Sequence, residues 1–245
     1  MVQIKITEKE YNEDNLLYVQ SSISEFISHA GCSVKIDGID GRKILTINCS
    51  ECYSDLLRAE ISDKVAEIIA IKYKYEFIKK NLLIGGLSQK EQEILITSLI
   101  AADLEEDKKY LFDRIKSLNY LAVDGIFYFR LKALKKKWKD VIEYIPNCFM
   151  NTQLKEFILY LLENKKRRVY VDGERVYDCH FRRLKRSNLV GGGEVKVLKE
   201  VLLSNCGEVE LNGEIPKDDE YYLKEYFNDK LYFSRNEKQG GKYFN

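Results

Sequence analysis

The stretch GIFYFRLKALKKKWKDVIEYI, which runs from Gly125 to Ile145, decides how the middle of the chain folds. On a helical wheel centred on Trp138, the apolar side chains fall within about 60° of it. They are Phe127, Leu131, Leu134, Val141, Ile142 and Ile145. The charged side chains on the other side are Lys132, Lys136, Lys137, Lys139, Asp140 and Glu143. This segregation predicts an amphipathic helix over about 124–145 with Trp138 in the core. A basic face that follows a phosphate backbone remains the alternative, but base stacking would need exposed rings beside the lysines.

The segments before this helix predict a mixed α/β layer. The alternating VQIKIT near the start favours a strand, and apolar residues from Leu16 to Ile27 have a helical spacing that ends at Gly31. The stretch SVKIDGIDGRKILTINC alternates around two Asp-Gly pairs, which is typical of a β-hairpin. From Leu57 to Leu82, apolar residues recur every three to four positions and predict one long helix.

The remaining segments predict a helical middle and a second α/β layer. Ser88 and Glu91 have the spacing of a capping box that opens a helix, and helical patterns also cover about 105–120 and 152–163. RRVYVDGERVYDCHF predicts a hairpin that turns at Asp172-Gly173. A helix over about 194–204, the strand EVELNG, a helix in DDEYYLKEYFND and a strand in KLYFS follow. The tail 235–245 lacks periodicity and is expected to fray.

Together these patterns predict an α+β fold in three regions. Residues 1–84 form an N-terminal α/β region that ends in a long helix, and residues 85–164 form a central helical region. Residues 165–245 form a C-terminal small α/β layer.

Composition limits the partners of the chain. It has 245 residues and a formal net charge of +1, so no global field attracts it to DNA or to a membrane. Its N-terminus lacks an apolar run of signal-peptide length, and no stretch approaches the ~18 apolar residues of a membrane span. We therefore expect a soluble, cytoplasmic protein without membrane contact, whose six cysteines are mostly reduced.

The central segment resembles the signature segment of the YtxC-like family of sporulation proteins. The family motif, of the type Gly-Phe-x-x-Phe-Arg-Leu-Lys, corresponds here to Gly125, Ile126, Phe129, Arg130, Leu131 and Lys132. The later segments LKEFILYLLENKK, EVLLSNCGEVELNGE and YYLKEYFNDKLYF resemble the family's next helix, its late helix-strand unit and its closing helix and strand. The chain departs from the family at Pro146 and at Gly191-Gly192-Gly193. The resemblance covers about 85–233; it implies a role in sporulation and assigns no activity to any residue.

Cys49 and Cys52 form a Cys-x-x-Cys between a predicted strand and a helix, a context in which a thiol pKa can be lowered. The hairpin before them and the acidic Glu51 between them oppose a thioredoxin-like role. A zinc site would need two more ligands, and Cys179-His180 are adjacent, which rarely closes a tetrahedron. Small, partly buried side chains are the favoured interpretation.

The segment 165–186 has the most uneven charge, with nine basic and three acidic residues. Interspersed tyrosines suit a surface that follows a phosphate backbone; the candidate nucleic-acid-binding residues are Arg167, Arg168, Arg182, Arg183 and Arg186. The favoured alternative is a solvated hairpin balanced by the acidic stretch 208–229.

The leading hypothesis is a non-enzymatic, sporulation-associated accessory protein that acts by protein–protein interaction with an unknown partner. No catalytic residues and no cofactor are assigned. A nucleic-acid-binding module based on 165–186 is the second hypothesis, and a thiol-redox or metal site at Cys49 and Cys52 is the third.

Overall fold

A computed structural model describes residues 1–118, 120–191 and 193–234. Its strands are β1 (Val2–Lys9), β2 (Ser33–Ile39), β3 (Arg42–Cys49), β4 (Leu121–Ala122), β5 (Arg168–Asp172), β6 (Arg175–Tyr177), β7 (Glu208–Asn212) and β8 (Leu231–Phe233). Its α-helices are α1 (Glu13–Ser22), α2 (Ser24–His29), α3 (Ser54–Ile68), α4 (Lys74–Asn81), α5 (Gln89–Ile115), α6 (Val123–Arg130), α7 (Lys132–Glu143), α8 (Asn151–Leu162), α9 (Lys196–Leu203) and α10 (Lys217–Phe227). The predicted α+β class is confirmed. The tail expected to fray, 235–245, and Gly192 of the glycine run lie outside the described residues.

The chain forms two compact units, each assembled from separated segments. Unit 1 comprises 1–85, 102–148 and 189–191, and unit 2 comprises 86–101, 149–188 and 192–245. Both units therefore take helices from the central region defined by sequence. Among the described residues, no helix combines the length and apolar character required to cross a bilayer.

The sheet of unit 1 has the strand order β2-β3-β1-β4. The predicted hairpin is confirmed: β2 and β3 pair in antiparallel register around Asp40 and Gly41, both with positive φ, as expected of a tight hairpin turn. Strand β1 pairs antiparallel with β3 and parallel with β4. Alternate residues face the core, where Ile6, Leu45 and Ile47 are fully buried.

The predicted long helix over 57–82 is continuous in space but contains a π-helical turn at Ile69–Tyr73, between α3 and α4. A π turn holds one extra residue relative to an α-helix, which re-aims the side chains that follow. Here it directs the Tyr73 hydroxyl to Glu8, a carboxylate without solvent exposure, with a 2.8 Å hydrogen bond. The same turn places Lys74 at Asp107 on α5.

Two helices differ from their predicted bounds. The capping box is confirmed, because Glu91 accepts hydrogen bonds from the Ser88 amide at 2.8 Å and hydroxyl at 2.7 Å, but the helix it opens, α5, runs on to Ile115 through a kink at Asp103.

The single helix predicted over about 124–145 is divided at Leu131, whose φ of −115° and ψ of 33° are non-helical. Leu131 is fully buried, and the Lys135 ammonium bonds to the Tyr128 carbonyl near the end of α6 at 3.0 Å.

Unit 2 contains a sheet of order β6-β5-β7-β8. The predicted hairpin is confirmed as β5 and β6, and β7 adds parallel to β5 and to β8. Helix α9 follows Val195, a residue with φ of 55°, and its Leu198 amide donates to the buried Asp219 of α10 at 2.8 Å. The fully buried Lys199 meets Glu93 at 2.5 Å, so both charges on α9 and α5 are compensated within this unit.

Trp138 is 1% exposed, as the helical wheel predicts. Its indole Nε1 donates to Asp107 Oδ2 at 2.8 Å, and the Lys74 ammonium lies 5.5 Å from its ring centroid. The same Asp107 accepts from Lys74 at 2.8 Å and from Lys137 at 3.1 Å. Trp138 thus combines apolar packing with a hydrogen bond to a buried charge.

We expect Trp138→Ala to lower the free energy of unfolding by about 3–5 kcal/mol, because it leaves a large cavity. Trp138→Phe keeps much of the volume and removes only the donor, so a smaller loss of about 1–3 kcal/mol is expected. Urea unfolding followed by circular dichroism measures both. A native fluorescence maximum typical of a water-exposed indole would contradict this placement, since Trp138 is the only tryptophan.

Candidate functional site

The segment that resembles the family motif is anchored to the sheet of unit 1 by an ion pair. Asp124, in the first turn of α6, accepts two hydrogen bonds from the Arg42 guanidinium of β3, at 2.5 and 3.2 Å. Burial acts to raise the pKa of Asp124, but the hydrogen bonds and charge of Arg42 hold that pKa below its ordinary value. This bidentate ion pair fixes the start of α6 against β3, since two parallel hydrogen bonds constrain orientation as well as distance.

The inner face of α6 packs into the core of unit 1. The Phe127 ring lies 4.7 Å from Tyr73 and 6.3 Å from Trp138, measured between centroids. Leu131, where α6 gives way to α7, is also buried. Part of the motif therefore has a packing role, and its buried members are not available to a ligand.

The next two residues of α6 point outward. Tyr128 is 48% exposed and Phe129 is 81% exposed. The Lys9 ammonium, at the end of β1, lies 5.3 Å from the Tyr128 ring and 5.6 Å from the Tyr11 ring. The neighbouring Tyr11 hydroxyl raises the pKa of Lys9.

Basic side chains continue around these rings. Arg130 follows Phe129 directly and Lys132 comes two residues later. Both are exposed, and neither forms an ion pair with a carboxylate in the described part of the chain. We call this set the aromatic–basic surface; it consists of Lys9, Tyr11, Tyr128, Phe129, Arg130 and Lys132. The prediction that Phe127 and Trp138 lie in the apolar stripe is confirmed, whereas Tyr128 and Phe129, which the wheel did not place there, are exposed.

The candidate nucleic-acid-binding residues of 165–186 are mostly engaged inside unit 2. Arg168 donates to Glu208 at 2.8 and 2.9 Å and to Glu210 at 3.3 Å, across the parallel pair β5 and β7. These carboxylates belong to the acidic stretch 208–229, and they raise the pKa of Arg168. The pairing supports the interpretation of a charge-balanced hairpin.

The other four candidate arginines divide evenly. Arg182 pairs with Asp178 at 3.2 Å, and Arg186 is half-buried and donates to the Leu203 carbonyl at 3.0 Å. Arg167 and Arg183 are exposed. A nucleic-acid role for the segment stays a prediction, and two of its five residues, Arg167 and Arg183, would carry most of it.

The two cysteines of Cys-x-x-Cys lie in different environments. Cys49 ends β3 and is 2% exposed, whereas Cys52 is exposed in the following 3₁₀ turn, with its thiol 3.0 Å from the Ser50 hydroxyl. Over residues 1–118, 120–191 and 193–234, no three His, Cys, Asp or Glu side chains are grouped to hold a metal ion. The redox or metal role of Cys49 with Cys52 stays a prediction.

Lys9 and Tyr11 were missed by sequence reasoning. Their contact with α6 depends on the parallel pairing of β1 with β4, in which Thr7 lies opposite Ala122, one residue before α6 begins. A residue pair separated by more than 100 positions leaves no local periodicity, so only the pattern Lys-x-Tyr at a strand end could have drawn attention to it.

No family model, no curated protein and no solved structure gives a significant match to this chain. The resemblance to the YtxC-like family therefore remains a prediction.

We expect Asp124→Asn to lower the free energy of unfolding at pH 7 by about 1–3 kcal/mol, the range for hydrogen bonds to charged groups. Because the folded-state pKa of Asp124 is depressed, its contribution is present above the unfolded pKa of about 4 and is lost as pH falls through the lower folded pKa. The difference between wild type and variant should shrink across that acid range. Trp138 fluorescence in urea reports on unit 1, and the exposed Asp140→Asn is the matched control. An equal loss at pH 7 and pH 3 would contradict this role of the ion pair.

Proposed function

We propose that this protein is a non-enzymatic, cytoplasmic accessory protein of sporulation that binds another protein through the aromatic–basic surface. The observation that carries the proposal is the exposure of Tyr128 and Phe129 within the segment that resembles the family signature. Exposed aromatic side chains beside an arginine, here Arg130, are the composition that protein-binding sites favour, since aromatics and arginine are enriched there.

The neighbouring structure supports this surface as a preformed site. The bidentate Arg42–Asp124 ion pair fixes the start of α6, and Phe127 anchors the inner face of α6 in the core. Lys135 holds the Tyr128 carbonyl. Rings held on a rigid helix lose little conformational freedom when a partner covers them, which favours binding.

The place in sporulation rests on the resemblance of 85–233 and is tested in cells. In a spore-forming host deleted for this gene, we expect fewer heat-resistant spores, restored by the wild-type chain and not by Phe129→Ser. Tyr144→Ser is the matched control, because Tyr144 is 88% exposed and lies 12 residues, about 18 Å, along α7 from Lys132. Full restoration by Phe129→Ser at wild-type protein levels would overturn the role of the surface.

Direct contact with a protein is tested by a photo-crosslinking amino acid at position 129. We expect a protease-sensitive, nuclease-resistant product from position 129 during sporulation, and a weaker one from position 144. Equal products from both positions would indicate non-specific encounters and would contradict the proposal. A nuclease-sensitive product would favour the second candidate function.

That second candidate is single-stranded nucleic acid, favoured by the combination of exposed rings with unpaired basic residues. With a net charge of +1 and a Debye length of about 8 Å in physiological salt, only charges on one contiguous face can cooperate. We therefore expect weak or no binding of labelled DNA or RNA at that salt, measured by fluorescence anisotropy. Binding at micromolar concentration that Arg130→Ser with Lys132→Ser removes would assign nucleic acid to the aromatic–basic surface. Loss with Arg167→Ser and Arg183→Ser would assign it to the hairpin instead.

A further inference from the structure

Cys32, the residue before β2, neighbours Cys49 at the end of β3. In the β2–β3 ladder, Ser33 pairs with Asn48 and Val34 with Ile47. If this register is continued one residue past the Ser33–Asn48 pair, Cys32 lies opposite Cys49. Directly opposed residues of an antiparallel pair point to the same side of the sheet. The Asn48 amide donates to the Ser33 hydroxyl at 3.0 Å, which confirms that facing side chains meet at this end of the hairpin.

The side of the sheet that these cysteines share is the buried one. Cys49 continues the alternation of Leu45 and Ile47, all three of them 2% exposed or less. Cys52, by contrast, is exposed beyond the strand end. Opposed Cβ atoms lie about 4.5–5.5 Å apart, and a small adjustment at the strand end brings them into the range of about 3.5–4.5 Å that a disulfide needs.

Access to small reagents differs between the two thiols. Cys32 is half-buried in the turn after Gly31, whereas Cys49 is buried. Burial raises the pKa of Cys32, and the neighbouring Cys49 thiol raises it further. A raised pKa lowers the thiolate fraction of Cys32 and slows its reaction, which suits a site modified under sustained rather than brief oxidation.

We propose that Cys32 and Cys49 are a redox modification site that hydroperoxides convert to an intramolecular disulfide. The Cys32 sulfur attacks the peroxide, the O–O bond breaks, and a sulfenic acid and one water form. The Cys49 thiol then displaces the hydroxyl of the sulfenic acid; the S–S bond forms, the S–O bond breaks, and a second water leaves. Two thiols are oxidised by two electrons and one hydrogen peroxide is reduced to two waters. The bond ties the edge strand β2 to β3.

The test is peptide mapping of the full chain after hydrogen peroxide treatment and alkylation of the remaining thiols. We expect a disulfide-linked peptide pair that contains Cys32 and Cys49, the loss of two of the six titratable thiols, and a rise in the unfolding midpoint of unit 1 that dithiothreitol reverses. Cys52→Ser should keep the linked pair, and Cys32→Ser should lose it.

A variant with Cys52, Cys148 and Cys179 all changed to Ser removes the exposed thiols and isolates the proposed pair. The same linked peptides should form in it. A Cys49–Cys52 link in the wild-type chain, or full alkylation of Cys32 and Cys49 while the exposed cysteines oxidise, would overturn the proposal. A sulfinic acid at Cys32 without any linked peptide would also overturn it, because it shows that Cys49 does not reach the oxidised sulfur.

Discussion

The carboxylate of Asp107 is the constraint on which unit 1 depends. It is 1% exposed and receives Lys74 from α4 together with Lys137 and Trp138 from α7. A buried charge is tolerated only when it is paired and hydrogen-bonded, so these three donors must converge. Lys74 and Lys137 also reach Asp103, at the kink of α5. The positions of α4 and α7 on α5 are thereby specified by directional bonds as well as by apolar packing.

This convergence of donors on Asp107 explains why the motif segment has one buried face and one exposed face. Trp138 is held inward at Asp107, and Phe127 packs against it. The non-helical Leu131 between them changes the phase of the apolar stripe, so α6 and α7 can both turn an apolar face to the core. The rings of Tyr128 and Phe129 are then left exposed on the outer side of α6, with the Lys9 ammonium 5.3 Å from the Tyr128 ring centroid. The exposed surface is in this sense a product of how the core is bonded.

Local chemistry was predictable from sequence, whereas long-range pairing was not. The capping box at Ser88 and the apolar stripe around Trp138 have short, fixed spacings with a direct physical cause. The break at Leu131 has no proline or glycine to announce it. The hairpin sequence contains two Asp-Gly pairs, and each predicts a different strand register. A turn at Asp40 and Gly41 sets Cys32 opposite Cys49, whereas a turn at Asp37 and Gly38 would set Cys32 opposite Lys43. The sites that depend on Lys9 and on Cys32 therefore became visible only with the register of the strands.

The π turn at Ile69–Tyr73 makes the length of this helix a fixed quantity. Because this turn sets the phase between α3 and α4, loss of one residue from α3 would rotate everything after it by about 100° relative to the rest of unit 1. Lys74 would turn away from Asp107, and a neighbouring residue of the helix would face that carboxylate in its place. Glu8 would lose its hydrogen bond from the Tyr73 hydroxyl. Single-residue deletions that surface loops absorb readily would here leave buried charges without partners. Changes in chain length are therefore expected to accumulate in the loops of unit 1 and to spare the regular part of this helix.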